Sequence, residues 1–182
     1  MYFLRMARYT RPRSTEWVES GGGPLIAIPD VVLPFWSGAR GDELACDHDR
    51  AFEVDGLIGL LPVGNLTALV LGDDPAATTY LPEHGTFVRS PSGVSGVSGA
   101  SGRAVPAGVA AALTTAVWAR ELEWRVPGPV VLFDAAWPGD QSAKTGHLRI
   151  DLRPGRYAVR AARTEPGPGA WTGLVQLRHL GP

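Results

Sequence analysis

The sequence predicts an α+β domain in which strands dominate and one main helix spans about 106–122. Three observations carry that expectation. Short apolar runs recur along the chain, and several alternate strictly between apolar and polar residues. The 23 glycines and 16 prolines that separate them suit tight turns between short strands better than a helical bundle. Only one stretch keeps a helical spacing of apolar residues long enough to matter. With 182 residues, 45% of them apolar, the chain can close a single core over residues 16–182 without disulfide or metal staples.

Residues 1–15 hold Arg5, Arg8, Arg11 and Arg13 and no acid, which reads as a disordered basic extension, or as an over-long start with Met6 the true one. Met1–Leu4 is too short for the apolar core of a secretion signal. Glu16–Ser20 and Leu25–Ile28 read as strands on either side of a glycine break, and Val31–Trp36 as a short helical or turn segment that Pro34 limits. Residues 37–51 read as a polar loop. Leu57–Leu61 and Leu66–Leu71 flank Gly64-Asn65 and predict a hairpin, whose nearly continuous apolar character places both strands centrally. Thr78–Leu81 and Thr86–Val88 are further short strands.

Four Ser-Gly triplets fill residues 92–103, so 90–104 is expected to be a flexible linker. The helix follows from Pro106, with Val109, Leu113, Ala116, Val117 and Leu122 near a 3.6-residue period. Val130–Phe133, His147–Leu152, Arg156–Ala162 and Trp171–His179 complete the strands, and Pro154-Gly155 makes a turn between two of them. Val70-Leu71-Gly72-Asp73 is echoed by Val131-Leu132-Phe133-Asp134, a weak sign that fits two similar lobes as well as it fits chance.

The formal net charge of −1 gives no reason to expect nucleic acid or an acidic membrane surface as a partner, and no apolar run reaches the ~18 residues of a membrane span. It hides an uneven distribution: residues 41–88 carry a balance of −8, and residues 141–182 one of +5. The single cysteine, Cys46, excludes a disulfide framework and any multi-cysteine metal site. Ala143-Lys144-Thr145 lacks the glycine that a phosphate loop needs, and no Gly-x-Ser-x-Gly nucleophile elbow is present. The four histidines are scattered, and Asp47-His48-Asp49 has too few companions to hold a metal. Asp73 and Asp74 follow an apolar strand, which suits either turn chemistry or a divalent metal. Two enzyme-like or binding alternatives therefore stay open: a metal-dependent hydrolase or transferase using Asp73, Asp74 and Asp134, and a carbohydrate-binding module using the tryptophans.

Trp17-Val18-Glu19-Ser20, Gly22-Gly23-Pro24-Leu25-Ile26, Leu33-Pro34-Phe35-Trp36, Pro62-Val63-Gly64, Leu69–Pro75, Phe87-Val88-Arg89, Leu132-Phe133-Asp134 and Pro154-Gly155-Arg156-Tyr157 occur in an order that resembles the immunity protein 21 family of bacterial polymorphic toxin systems. The likeness runs from residue 17 to 180. It departs where the family pattern has Arg-Ala-Cys-Glu and this chain reads Arg50-Ala51-Phe52-Glu53, and where the Ser-Gly repeat replaces a connector. The resemblance implies a cytoplasmic bacterial protein that binds and neutralises a cognate toxin domain, with no cofactor and no chemistry of its own. It implies no contact residues. Those are expected from the charge pattern: Asp42, Glu43, Asp47, Asp49, Asp73 and Asp74 form the acidic set that would meet a basic toxin cleft, unless they only solvate a loop.

Overall fold

Ten strands form two five-stranded sheets, every neighbouring pair antiparallel. The computed structural model describes residues 16–40, 46–72, 74–91, 105, 108–167 and 170–182. The basic extension (1–15), most of the Ser-Gly linker (92–104), Pro106, Asp42, Glu43 and Asp73 lie outside the described residues.

The first sheet has the order β2 (Gly59–Val63), β3 (Leu66–Leu71), β1 (Leu25–Pro29), β7 (Val130–Asp134), β8 (His147–Ile150). The second has the order β4 (Ala76–Leu81), β5 (Thr86–Pro91), β10 (Ala170–Gly181), β9 (Gly155–Gly167), β6 (Arg120–Val126). Their inner faces share one core: Leu25, Ala27, Leu69, Leu71 and Leu132 from the first meet Phe87, Trp124, Val159, Ala161 and Val175 from the second. Alternation then sends the intervening residues outward, where each sheet needs a second cover. Ile26, Ile28, Val70, Val131 and Phe133 pack beneath a 3-10 turn at Asp30–Phe35 and the short helix α1 (Asp47–Phe52). Ala77, Val88 and Leu174 pack beneath Trp17, the helix α2 (Val109–Thr115) and the segment through Trp118. The strand-rich α+β expectation holds, arranged in four layers.

The hairpin register pairs Leu60 with Leu69 and Val63 with Leu66, around Gly64 at φ 58°. Its strands are not equally central. β3 lies inside the sheet, whereas β2 is an edge, with Leu60 only half-buried and Pro62 exposed. Pro62 cannot donate to a ladder, which is the residue-level reason for the edge position.

The helix is shorter than its apolar spacing predicts. It ends at Thr115, where Thr114 and Thr115 both donate side-chain hydrogen bonds to the Ala111 carbonyl (2.7 and 3.2 Å) and Ala116 turns to extended geometry. Residues 120–126 form β6 instead: Trp124 and Val126 are buried and Leu122 is partly buried, between exposed Glu121, Glu123 and Arg125. That is a two-residue period, and Leu122 satisfies both readings. The loop expected at 37–51 contains α1, whose Ala51 is its sole buried residue, so no apolar stripe announces it. Of the strand expected at Glu16–Ser20, one bridge forms, with Val18 and Thr78 exchanging N–H···O bonds of 2.8 and 2.9 Å.

Each half of the chain supplies strands to both sheets. Matching β1, β3, β4 and β5 with β7, β8, β9 and β10 makes the strand orders correspond across β1–β7 and β5–β10. The echo between residues 70–73 and 131–134 falls on β3 and β7, which that correspondence does not match.

Trp124 closes one long side of the sandwich by donating from Nε1 to the Thr67 carbonyl at 2.9 Å, joining β6 to β3. Leu69→Ala should lower the unfolding free energy by about 2–5 kcal/mol, and Leu60→Ala by less. Trp124→Phe should cost about 1–3 kcal/mol by leaving Thr67 without its partner. Urea denaturation of the three variants checks the order.

Candidate interaction surfaces

Of the acidic set, Asp47 and Asp49 lie on α1, in the layer over the first sheet, and Asp74 on the turn that leads out of β3. Cys46 caps α1: its thiol accepts the Asp49 N–H, and the Asp49 carboxylate accepts the Cys46 N–H at 3.2 Å. Hydrogen bonds from the Cys46 thiol and backbone hold the exposed Asp49 carboxyl below its ordinary pKa. Asp47 is an anchor. Its Oδ2 accepts from Ser37 N (2.8 Å) and Ser37 Oγ (2.9 Å), and its Oδ1 takes Arg50 Nη1 at 2.6 Å. Arg50 reaches on to the Pro62 carbonyl at 3.1 Å, so this chain of bonds ties α1 to both the 3-10 segment and β2.

Asp74 lies on the turn after β3 and is bound to the second sheet. Arg163 Nη1 approaches its carboxylate at 2.7 Å, and buried Arg89 donates to the Asp74 carbonyl at 3.1 Å and to the Gly72 carbonyl. The Arg163 guanidinium stacks 4.5 Å over Trp171. A small cleft lined by Gly23, Phe52, Val54, Gly72 and Pro75 brings the end of α1 beside this turn. Asp47 and Asp49 thus share α1, and Asp74 lies on the turn next to Pro75, beside the end of that helix; among the described residues Asp47 and Asp74 are ion-paired and Asp49 is not.

Asp134 is spent differently. Its Oδ2 accepts the Gly21 N–H at 2.6 Å and its Oδ1 the Ala136 N–H at 2.9 Å, and it is buried. Both oxygens stitch the strand end to the glycine break. With Asp74 paired to Arg163 and both Asp134 oxygens accepting backbone N–H bonds, the described acids of the proposed metal-dependent hydrolase are already engaged by the fold. Among the described residues, the one cluster of three metal-ligating types is Cys46, His48 and Asp49, within 4.8 Å of one another. Sequence spacing shows Asp47-His48-Asp49 alone; it is the capping turn of α1 that folds Cys46 back onto His48 and Asp49.

Apolar side chains accompany the acids. Val31, Phe35, Phe52 and Trp137 are exposed on or beside the layer covering the first sheet. Phe52 is 55% exposed, with the His48 ring edge-on at 4.8 Å. Gly139 lets the second 3-10 turn, Gly139–Lys144, press on the Leu33 carbonyl, where any Cβ would collide. This packing fixes Trp137 and Phe35 in neighbouring turns.

A model of immunity protein 21 matches residues 16–170, most of the chain. The chain belongs to the immunity protein 21 family. Comparison with curated proteins and with solved structures returned no match. The family match embraces the first sheet and all of the second except β10, of which it reaches only Ala170, and it includes α1, the Asp74 turn and Asp134. No helix among the described residues of this family member is long and apolar enough to cross a membrane.

On the long side opposite Trp124, the sheets end on β4 and β8, which approach each other beside a groove of about 1190 Å³. Tyr80 lines it. Burial, then the nearby Tyr157 and Glu83, push its phenol up to about 12.

Asp134→Asn replaces one acceptor with a donor facing a backbone N–H and should cost about 1–3 kcal/mol in denaturant unfolding. For Tyr80 the raised folded pKa means that its contribution is complete below the unfolded value near 10 and is lost as pH rises toward 12. Urea midpoints at pH 9, 10 and 11 should fall less steeply in Tyr80→Phe than in the parent chain.

Proposed function

We propose that this chain neutralises a bacterial toxin by binding it stoichiometrically, in the cytoplasm, without catalysing a reaction. The observation that carries this reading is the family match over residues 16–170. The layer over the first sheet supports it, because exposed Phe52 and Phe35 can enter pockets on a partner while acids nearby guide the encounter. In this reading Phe52 is the anchor and Asp49 a charged rim residue, with Asp42, Glu43, Asp73 and Asp74 extending the negative field. Asp47 belongs to the scaffold, since its carboxylate already serves Ser37 and Arg50. A basic cleft, such as one that grips nucleic acid, is the toxin surface this arrangement complements.

Each neighbouring gene, expressed alone and then with this protein, provides the test. One neighbour should be toxic alone and harmless in company, and the two products should copurify as an equimolar complex. Absence of any rescued toxin, or rescue that persists at far below equimolar amounts, overturns stoichiometric neutralisation. With the toxin in hand, Phe52→Ala should weaken binding by about tenfold or more. Asp42→Lys combined with Glu43→Lys should lower the association rate and flatten its salt dependence, while the melting temperature stays put. Asp49→Lys should do the same at an added cost of about 1 kcal/mol from the lost cap.

A further inference from the structure

The two long sides of the sandwich are built for different ends. One is fastened by Trp124 on Thr67; the other opens into the groove between β4 and β8. The groove exceeds the roughly 300–1,000 Å³ of a small-molecule pocket, and its floor reaches Ile150, Leu152, Tyr157 and Leu177 of the shared core. Leu148, Ile150, Leu152 and Leu177 give it an apolar lining, and Tyr80 adds a phenol with no hydrogen bond among the described residues.

Its charges are unevenly satisfied. Arg149, on the β8 wall, is already paired with Asp30 at 2.7 Å and Asp151 at 3.4 Å. Glu16 and Glu83, on the β4 wall, have no cation partner among the described residues, and Arg153, beyond the end of β8, has no acid partner among them, so the unpaired charge on the lining is net negative. Above the groove, β8 is the last strand of its sheet, so its outer edge meets no further strand. Such an edge is a template for main-chain pairing.

We infer that this groove receives an extended segment of the toxin, which lies along β8 and presents an arginine or lysine to Glu16 and Glu83. Each part of the site has a task in that arrangement. The β8 edge supplies main-chain hydrogen bonds, the apolar lining takes alternate side chains, and the two carboxylates select a cation. Tyr80 keeps its proton at neutral pH and can donate to a segment carbonyl. The inference rests on the neutralising reading and adds to it a second contact, away from Phe52.

The test uses the purified toxin that the coexpression screen rescues. Hydrogen exchange on the complex should slow at residues 147–153 and 79–83 as well as around α1. Leu148→Arg should weaken binding by about tenfold or more, and Glu16→Gln with Glu83→Gln should weaken it and reduce its salt dependence. Glu16 and Glu83 are exposed, so that variant should melt with the parent protein; Leu148 packs partly against the shared core, so binding by Leu148→Arg is read at a temperature where its own melting curve shows it folded. Binding within about twofold of the parent in both variants, with no protection in the groove, overturns the inference and leaves the neutralising reading intact. A toxin-free dimer that Leu148→Arg dissociates would assign the groove to a second copy and also overturn it. If no toxin is rescued, the neutralising reading falls and the groove assignment falls with it.

Discussion

Leu25–Pro29 is buried along its whole length, hydrogen-bonded to β3 on one edge and to β7 on the other. A strand so placed has no side to give to water. Leu25 and Ala27 must be covered by the second sheet, and Ile26 and Ile28 by the turns and α1 on the outside. The four-layer arrangement follows from that double requirement. The second sheet repeats it, since Val88 and Leu174 face outward and are covered by α2 and Trp17. Covers this small contribute little apolar stripe of their own, so they are held by specific polar contacts. Asp47 with Ser37 and Arg50 secures α1, and the Trp36 indole, donating to the Ala135 carbonyl at 3.0 Å, secures the neighbouring turn.

That division of labour sorts the acids by what their oxygens already do. Asp47 and Asp134 spend their carboxylates on the fold, Asp74 shares its own with Arg163, and Asp49 keeps its charge at the surface while capping a helix. A negative balance read from sequence counts all of them equally. Only the structure separates charge that a partner can meet from charge already used internally. It also places Phe52 among them, an aromatic side chain left in water on a helix that buries little else.

Much of the strand content can be read from alternation and turn residues alone. Leu148 and Ile150 face inward and His147 and Arg149 outward, as their two-residue period requires, and the Gly64-Asn65 hairpin forms in register. The misread parts share a cause: local patterns that satisfy two periods or none. Leu122 extends the apolar stripe of α2 and equally begins the alternation of β6, and only pairing with β9 decides between them. The helix α1 has no apolar period because capping and ion pairs hold it. The acidic stretch is legible as a charge balance, but the groove is not. Glu16, Glu83 and Leu148 come from three distant segments, and nothing in the chain foretells that β4 and β8 end on the same side.

The pairing of β10 with β5 and β9 has a consequence for how the protein is made. Residues 86–89 pair with residues 173–176 in the middle of the second sheet, so during synthesis β5 waits for a strand more than eighty residues further along the chain. Until then β5 presents an open edge and the inner face of the first sheet has nothing to lie against. Such distant pairings are slow to form and leave aggregation-prone surface exposed during synthesis. Charged and proline-bearing strands, Pro62 on β2 and the glutamates and arginines of β6, are well placed to keep those unfinished intermediates apart. A chain built this way completes its second sheet only when β10 has joined β5 and β9, so what a ribosome-bound chain lacks is the strand that holds the middle of that sheet together.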